Sequence, residues 1–127
     1  MSHWNDFDLE AKIRGILGEV GPRPSTHHFG RAYLTAYQLA VALEDRYPDL
    51  LAGMGVSVGG AGTGEPTSLA QYVARELSMR IKKGEPPDFE GAFLADAGIR
   101  EIVFKRNGGD VRSSVLGSND LSMFRLR

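Results

Sequence analysis

The spacing of apolar residues predicts three helices, over about 6–20, 35–47 and 68–83. In the third helix the apolar residues recur every three or four positions and form one stripe, at Leu69, Tyr72, Val73, Leu77 and Ile81. A polar stripe occupies another side of the same helix, at Gln71, Arg75, Ser78 and Lys82. An amphipathic helix of this kind is typical both of a recognition helix and of an ordinary helix docked on a core.

The second and third helices have the same start signal. Thr35 is followed three residues later by Gln38, and Ser68 is followed by Gln71, which is the spacing of a capping box. Gly84 follows the third helix, at the position where many helices end in a residue with a left-handed backbone conformation. These residues predict where the second helix begins and where the third begins and ends.

The C-terminal part of the chain changes to a β pattern. It predicts strands over about 100–106, 111–116 and 121–127. Asn107-Gly108 between the first two is a preferred pair for a type I′ hairpin turn. We therefore expect a three-stranded antiparallel β-meander at the end of the chain.

Together these elements predict a single α+β domain over residues 1–127. Three helices followed by a hairpin is the element order of a winged helix-turn-helix, and the resemblance is at the level of the fold alone. One feature departs from it: about 20 residues separate the second and third helices, including a glycine-rich loop over 53–66.

Charge is unevenly distributed. The net charge is −1, but residues 1–65 carry 5 basic and 8 acidic side chains, whereas residues 66–127 carry 10 and 8. A polyanion would therefore meet the C-terminal half. The chain has no cysteine and no apolar run of the length that crosses a bilayer, so we expect a cytoplasmic protein held by its core, with no membrane association.

The third helix carries the main candidates for DNA binding. If it lies in a major groove, Gln71 and Arg75 can form hydrogen bonds to base edges, and Ser78 and Lys82 can contact the DNA backbone. Ser68 and the amides around it could receive a phosphate, as helix N-termini do.

The hairpin supplies further candidates, because Lys105, Arg106 and Arg112 surround its tight turn. We expect them to contact phosphates, although basic hairpin tips also serve to protect sheet edges. The prediction is a DNA-binding winged helix, either a transcriptional regulator or an accessory DNA-binding protein, acting on duplex DNA.

The main alternative is a protein-interaction module on the same fold, which docks a partner through the third helix or the last strand, 121–127. We expect a DNA binder of this kind to form a homodimer, whereas an interaction module could remain monomeric. The run Gly59–Gly64 lacks the lysine that a Walker loop needs, because Glu65-Pro66 follows it. Neither a metal-ligand spacing nor a catalytic arrangement is evident, so we expect no cofactor, no metal and no enzymatic activity.

Overall fold

The computed structural model describes residues 3–60, 68–113 and 120–127. In these ranges the protein is a mixed α+β structure with antiparallel sheets. The helices are α1 (His3–Asp6), α2 (Leu9–Gly18), α3 (Ala36–Arg46), α4 (Leu50–Met54) and α5 (Leu69–Lys83). The strands are β1 (Leu34–Thr35), β2 (Phe89–Leu94), β3 (Val103–Phe104), β4 (Val111–Arg112) and β5 (Leu121–Leu126).

The second and third predicted helices are confirmed as α3 and α5, together with their caps. Thr35 and Gln38 form the full capping box, with the Gln38 amide donating to the Thr35 hydroxyl over 3.2 Å. At α5 the Ser68 hydroxyl accepts a hydrogen bond from the Gln71 backbone amide, which is one half of a capping box, and Gly84 ends the helix in the left-handed conformation at φ 72°. Local sequence thus determines both helices.

The first predicted helix differs from the expected 6–20. Asp8 has φ 51°, in the left-handed region, and this residue separates α1 from α2. The short α1 is held by tertiary contacts: Trp4 is buried, and its amide donates to the Tyr72 hydroxyl over 3.0 Å.

The long connection between α3 and α5 contains a further helix, α4. The sequence did not predict this helix because the segment is rich in glycine. Leu50, Leu51 and Met54 are all buried, so α4 adds to the core. At Gly59 an added Cβ would lie 2.5 Å from the Ser68 hydroxyl oxygen, so this glycine permits close packing against the start of α5. The rest of the predicted loop, 61–66, lies outside the described residues.

The predicted β-meander is wrong, because the strands form two sheets. The first sheet has the order β1-β5-β2, with Leu34 paired to Phe124 and Gly91 paired to the same residue from the other side. The C-terminal strand is therefore central in this sheet. It pairs with strands far away in the sequence because its alternate side chains Phe124 and Leu126 are buried in the helical core.

The second sheet is the β3–β4 hairpin, in which Val103 pairs with Arg112 and Phe104 with Val111. These strands are shorter than predicted, and residues 114–116 of the second predicted strand lie outside the described residues. The Gly109 amide donates to the Arg106 carbonyl over 3.3 Å. Gly108 and Gly109 have positive φ and Asn107 does not, so the turn is not the expected type I′.

Candidate nucleic-acid interface

The polar stripe of α5 lies on the surface. Gln71, Arg75, Ser78 and Lys82 are all exposed, and at 3.6 residues per turn they fall within roughly 60° of one another around the helix axis. The opposite side of α5 is buried through Leu69, Tyr72, Val73 and Leu77. Burial of the apolar stripe therefore fixes which side of the helix faces outward.

The side chains of this stripe have few partners. Among the described residues, none forms a hydrogen bond or an ion pair with the side chains of Gln71, Ser78 or Lys82. The Arg75 guanidinium lies 5.6 Å from the Tyr72 ring centre and has no carboxylate partner in the described ranges. In contrast, Arg80 pairs with Glu76 at 3.0 Å and lies 4.0 Å over the Trp4 ring.

The N-terminus of α5 offers no amide to a phosphate at its first three positions. The Leu69 amide donates to the Ser57 carbonyl (2.8 Å), and the Ala70 amide donates to the Val58 carbonyl (3.0 Å). The Gln71 amide is taken by the Ser68 hydroxyl at 3.2 Å, and Ser68 is only 5% exposed. The expected phosphate contact at Ser68 is therefore replaced by a structural cap.

Arg106 in the hairpin is committed to an internal contact. Its Nε and Nη2 atoms donate to the two carboxylate oxygens of Glu44 on α3, over 2.7 and 3.0 Å. This bidentate pair raises the pKa of Arg106 above its usual value, although burial opposes the shift. The Phe104 ring stacks on Tyr37 at 5.3 Å, so the hairpin is fastened to α3 by both charge and packing.

Two other hairpin cations remain exposed. Lys105 has no hydrogen-bond or ion-pair partner among the described residues. Arg112 pairs with Glu101 at 3.3 Å, but its side chain is 63% exposed. An exposed pair of this kind is weak, so Arg112 can exchange partners readily.

Carboxylates surround the inner side of the hairpin. A groove of about 760 Å³ lies between α3 and the hairpin, and Glu44, Asp45 and Asp110 contribute to its walls together with Lys105 and Arg106. This mixture of charges reduces the attraction of the hairpin for a polyanion. The outward face of α5 is the better candidate surface.

The sequence did not reveal one feature beside this face. Phe93, the residue before the last of β2, is 70% exposed. Phe93 and Ser78 line the same shallow groove between α5 and the sheet. The alternation along β2 offers no signal for this exposure, because Phe89 on the same face is buried.

A further ion pair supports the strand that follows α5. Arg14 on α2 makes two hydrogen bonds to Asp88, immediately before β2, and the longer is 3.2 Å. This contact lowers the pKa of Asp88 and raises the pKa of Arg14. The pair links α2 to the residue that precedes β2.

Within the described residues, no cluster of three or more histidine, cysteine, aspartate or glutamate side chains could hold a metal ion. No helix in those ranges is both long and apolar enough to span a bilayer. Comparisons with known proteins found no matching family model, no matching curated protein and no matching solved structure.

Proposed function

We propose that this protein is a DNA-binding winged-helix domain in which α5 is the recognition helix. The main support is the exposed polar stripe of Gln71, Arg75, Ser78 and Lys82, because none of the four side chains has a hydrogen-bonding or ion-pair partner among the described residues. Side chains that have no partner in the described part of the chain can contact base edges and phosphates without first breaking a bond seen there.

The strand arrangement supports the winged-helix interpretation. In a winged helix, a strand between the first two helices pairs with the last strand, and that strand pairs with the one following the third helix. With α2, α3 and α5 as the three helices, the order β1-β5-β2 corresponds to this arrangement. The extra helix α4 accounts for part of the long connection before α5.

The roles within the stripe follow from chemistry. Gln71 and Arg75 lie one turn apart and carry the planar donor groups that read adenine and guanine edges. Ser78 and Lys82 suit backbone contacts, and Lys83 adds an exposed charge at the end of the helix. Lys105 and Arg112 contribute long-range attraction, whereas Arg106 and Ser68 serve the fold.

The test is to select a preferred duplex from a random library and compare variants on that duplex and on a scrambled one. Arg75→Ala should reduce the ratio of the two affinities, because a base contact carries the discrimination. Lys82→Ala should weaken both duplexes by the same factor and preserve the ratio. An unchanged ratio in Arg75→Ala would refute its proposed role as a base reader.

The groove between α3 and the hairpin favours a second candidate function, which is protein interaction. Its walls combine apolar Val41 and Val103 with charged residues. Because Arg106 is paired with Glu44, Asp45 and Asp110 leave one more negative charge than Lys105 balances, which fits a basic, apolar polypeptide segment. The last strand, which we first considered as a docking edge, is central among the described strands of its sheet. β2 pairs with all of Leu121–Leu126 on one side and β1 pairs with Met123 and Phe124 on the other, which leaves less of its backbone for strand addition.

An NMR titration with a peptide of alternating lysine and leucine tests this second candidate. Shift changes confined to Val41, Asp45, Val103 and Asp110 would support it. Absent changes, or changes spread over the whole surface, would count against it.

A further inference from the structure

The outer strand β2 has an exposed, apolar end. β2 lies at one edge of the β1-β5-β2 sheet formed by the described strands. Phe93 is 70% exposed and Leu94 is 37% exposed. The six residues Phe89–Leu94 contain no lysine and no proline, which usually prevent an edge strand from pairing with another chain. Their one charged residue, Glu90, is paired with Arg125 and Arg127 of its own chain.

A projection and a recess lie two residues apart on the same face of this strand. Gly91 faces α5, since a Cβ built on it would lie 3.2 Å from Ile81 Cδ1. Phe93 shares that face because strand side chains alternate, but its ring extends into solvent. A groove of about 230 Å³ beside it is lined by Ile81, Gly91, Phe93 and Phe124, among others.

We propose that β2 pairs with β2 of a second copy of this chain, antiparallel, about a two-fold axis at Ala92. In this register Gly91 lies opposite Phe93 of the partner subunit, and Phe93 lies opposite the partner subunit's Gly91. Each exposed ring then covers the position that has no side chain on the other copy. A contact that presents one projection and one recess per copy is self-complementary, as a two-fold interface requires.

Neighbouring registers lack this fit. An axis at Gly91 sets Phe93 opposite the partner's Phe89, which is already buried in its own core. An axis at Phe93 sets Phe93 opposite the partner's Phe93 and Gly91 opposite the partner's Ala95, so neither ring covers the position that has no side chain. The register at Ala92 sets Asp88 opposite the partner's Asp96, but Arg14 already balances the Asp88 carboxylate.

The expected affinity is modest. Two paired six-residue strands bury less than the roughly 1,600 Å² of a standard stable interface. We therefore expect a dissociation constant on the order of micromolar, which calls for measurement over a wide concentration range. The pairing requires no DNA, so its test is independent of the function proposed above.

Sedimentation equilibrium of the full chain from about 5 to 500 µM tests the proposal. The mass should rise from 13.8 kDa toward twice that value. Phe93→Lys should raise the dissociation constant at least about tenfold, since a central aromatic anchor is replaced by a charge. Phe29→Lys is the matched control, because Phe29 is 74% exposed on a different part of the surface.

Cysteine crosslinking tests the register. The chain has no cysteine, so Ala92→Cys introduces one thiol, which the two-fold axis would place beside its copy within disulfide range. It should oxidise to a dimer much faster than Ala52→Cys, an exposed control position on α4. A monomer at every concentration, equal effects of the two lysine variants, or equal crosslinking of the two cysteine variants would overturn the proposal.

Discussion

The outward face of α5 and the β3–β4 hairpin both carry basic residues, but their chemistry in the folded protein differs. On α5, Arg75 and Lys82 have no acidic partner among the described residues. On the hairpin, Arg106 forms a bidentate pair with Glu44, and Arg112 pairs with Glu101.

If the protein binds DNA as proposed, we expect a basic side chain that is already paired within the protein to contribute less to binding than an unpaired one. Glu44 and Arg106 are 62 residues apart in the sequence, so the commitment of Arg106 arises from the tertiary fold. Side chains that stabilise the fold would have to give up that contact before they could bind a phosphate. Substitutions in the two regions should therefore differ most in their effect on affinity for DNA, and next most in their effect on the free energy of unfolding.

The largest expected effect comes from reversing charge on each surface in turn. Arg75→Glu with Lys82→Glu should weaken duplex binding about 100-fold or more at about 100 mM salt, because two attractive contacts become repulsive. Lys105→Glu with Arg112→Glu changes the net charge equally and should cost about fivefold or less. Fluorescence anisotropy measures both, and equal losses would remove the distinction between the surfaces.

Removal of the Arg106–Glu44 ion pair, which joins the hairpin to α3, should destabilise the protein. Arg106→Ala should lower the free energy of unfolding by about 1–2 kcal/mol, since Glu44 is left half-buried without its partner. Arg112→Ala should change it by about 0.5 kcal/mol or less, because that pair is exposed. Urea denaturation checks both values, and a similar loss in the two variants would show that Arg106 is no more committed than Arg112.

Substitution of Ser68 distinguishes a structural role from a DNA-binding role at the start of α5. Ser68→Ala should destabilise the protein by about 1 kcal/mol, the usual cost of losing an N-cap. DNA binding by the folded variant should keep the same salt dependence, since the hydroxyl is buried and bonded to the Gln71 amide. A clear fall in affinity for DNA, with folding intact, would return Ser68 to the interface.

The smallest expected effect is on the pH dependence of stability, through the ion pair of Arg14 and Asp88, which lies outside both basic surfaces. Because the pKa of Asp88 is lowered in the folded state, its contribution is full above the unfolded value of about 4. It is lost as pH falls through the lowered folded pKa. Both side chains are more than a third exposed, so the contribution should stay below about 1 kcal/mol.

The measurement is urea denaturation between pH 6 and the lowest pH at which the protein remains folded. Asp88→Asn should lose part of the acid dependence seen in the original chain. Identical pH profiles for the two proteins would show that the ion pair adds nothing to stability.

The features that the sequence predicted best are those that local interactions determine. α3 and α5 begin and end at residues whose side chains or backbone conformation cap them, namely Thr35, Ser68 and Gly84. The exposed side of α5 was also predictable, because its apolar stripe has to face the core.

Elements held by distant contacts were missed or misplaced. β1 has two residues and exists through its pairing with β5, and α1 depends on Trp4 packing near Tyr72. The meander was wrong because turn residues reveal a hairpin but do not reveal which strand a later segment joins. In the candidate site, the exposure of Arg75 followed from periodicity, whereas the partner of Arg106 required the fold.

The most direct test of the central claim is anisotropy of a labelled random duplex titrated with the protein at about 50 and 200 mM salt. If Lys82 and Lys83 displace counterions from two phosphates, log K should fall with log salt at a slope of about −1.8, a roughly 12-fold loss of affinity over this range. No binding at the lower salt, or an affinity that does not change with salt, would contradict the assignment of α5 as a DNA-binding helix.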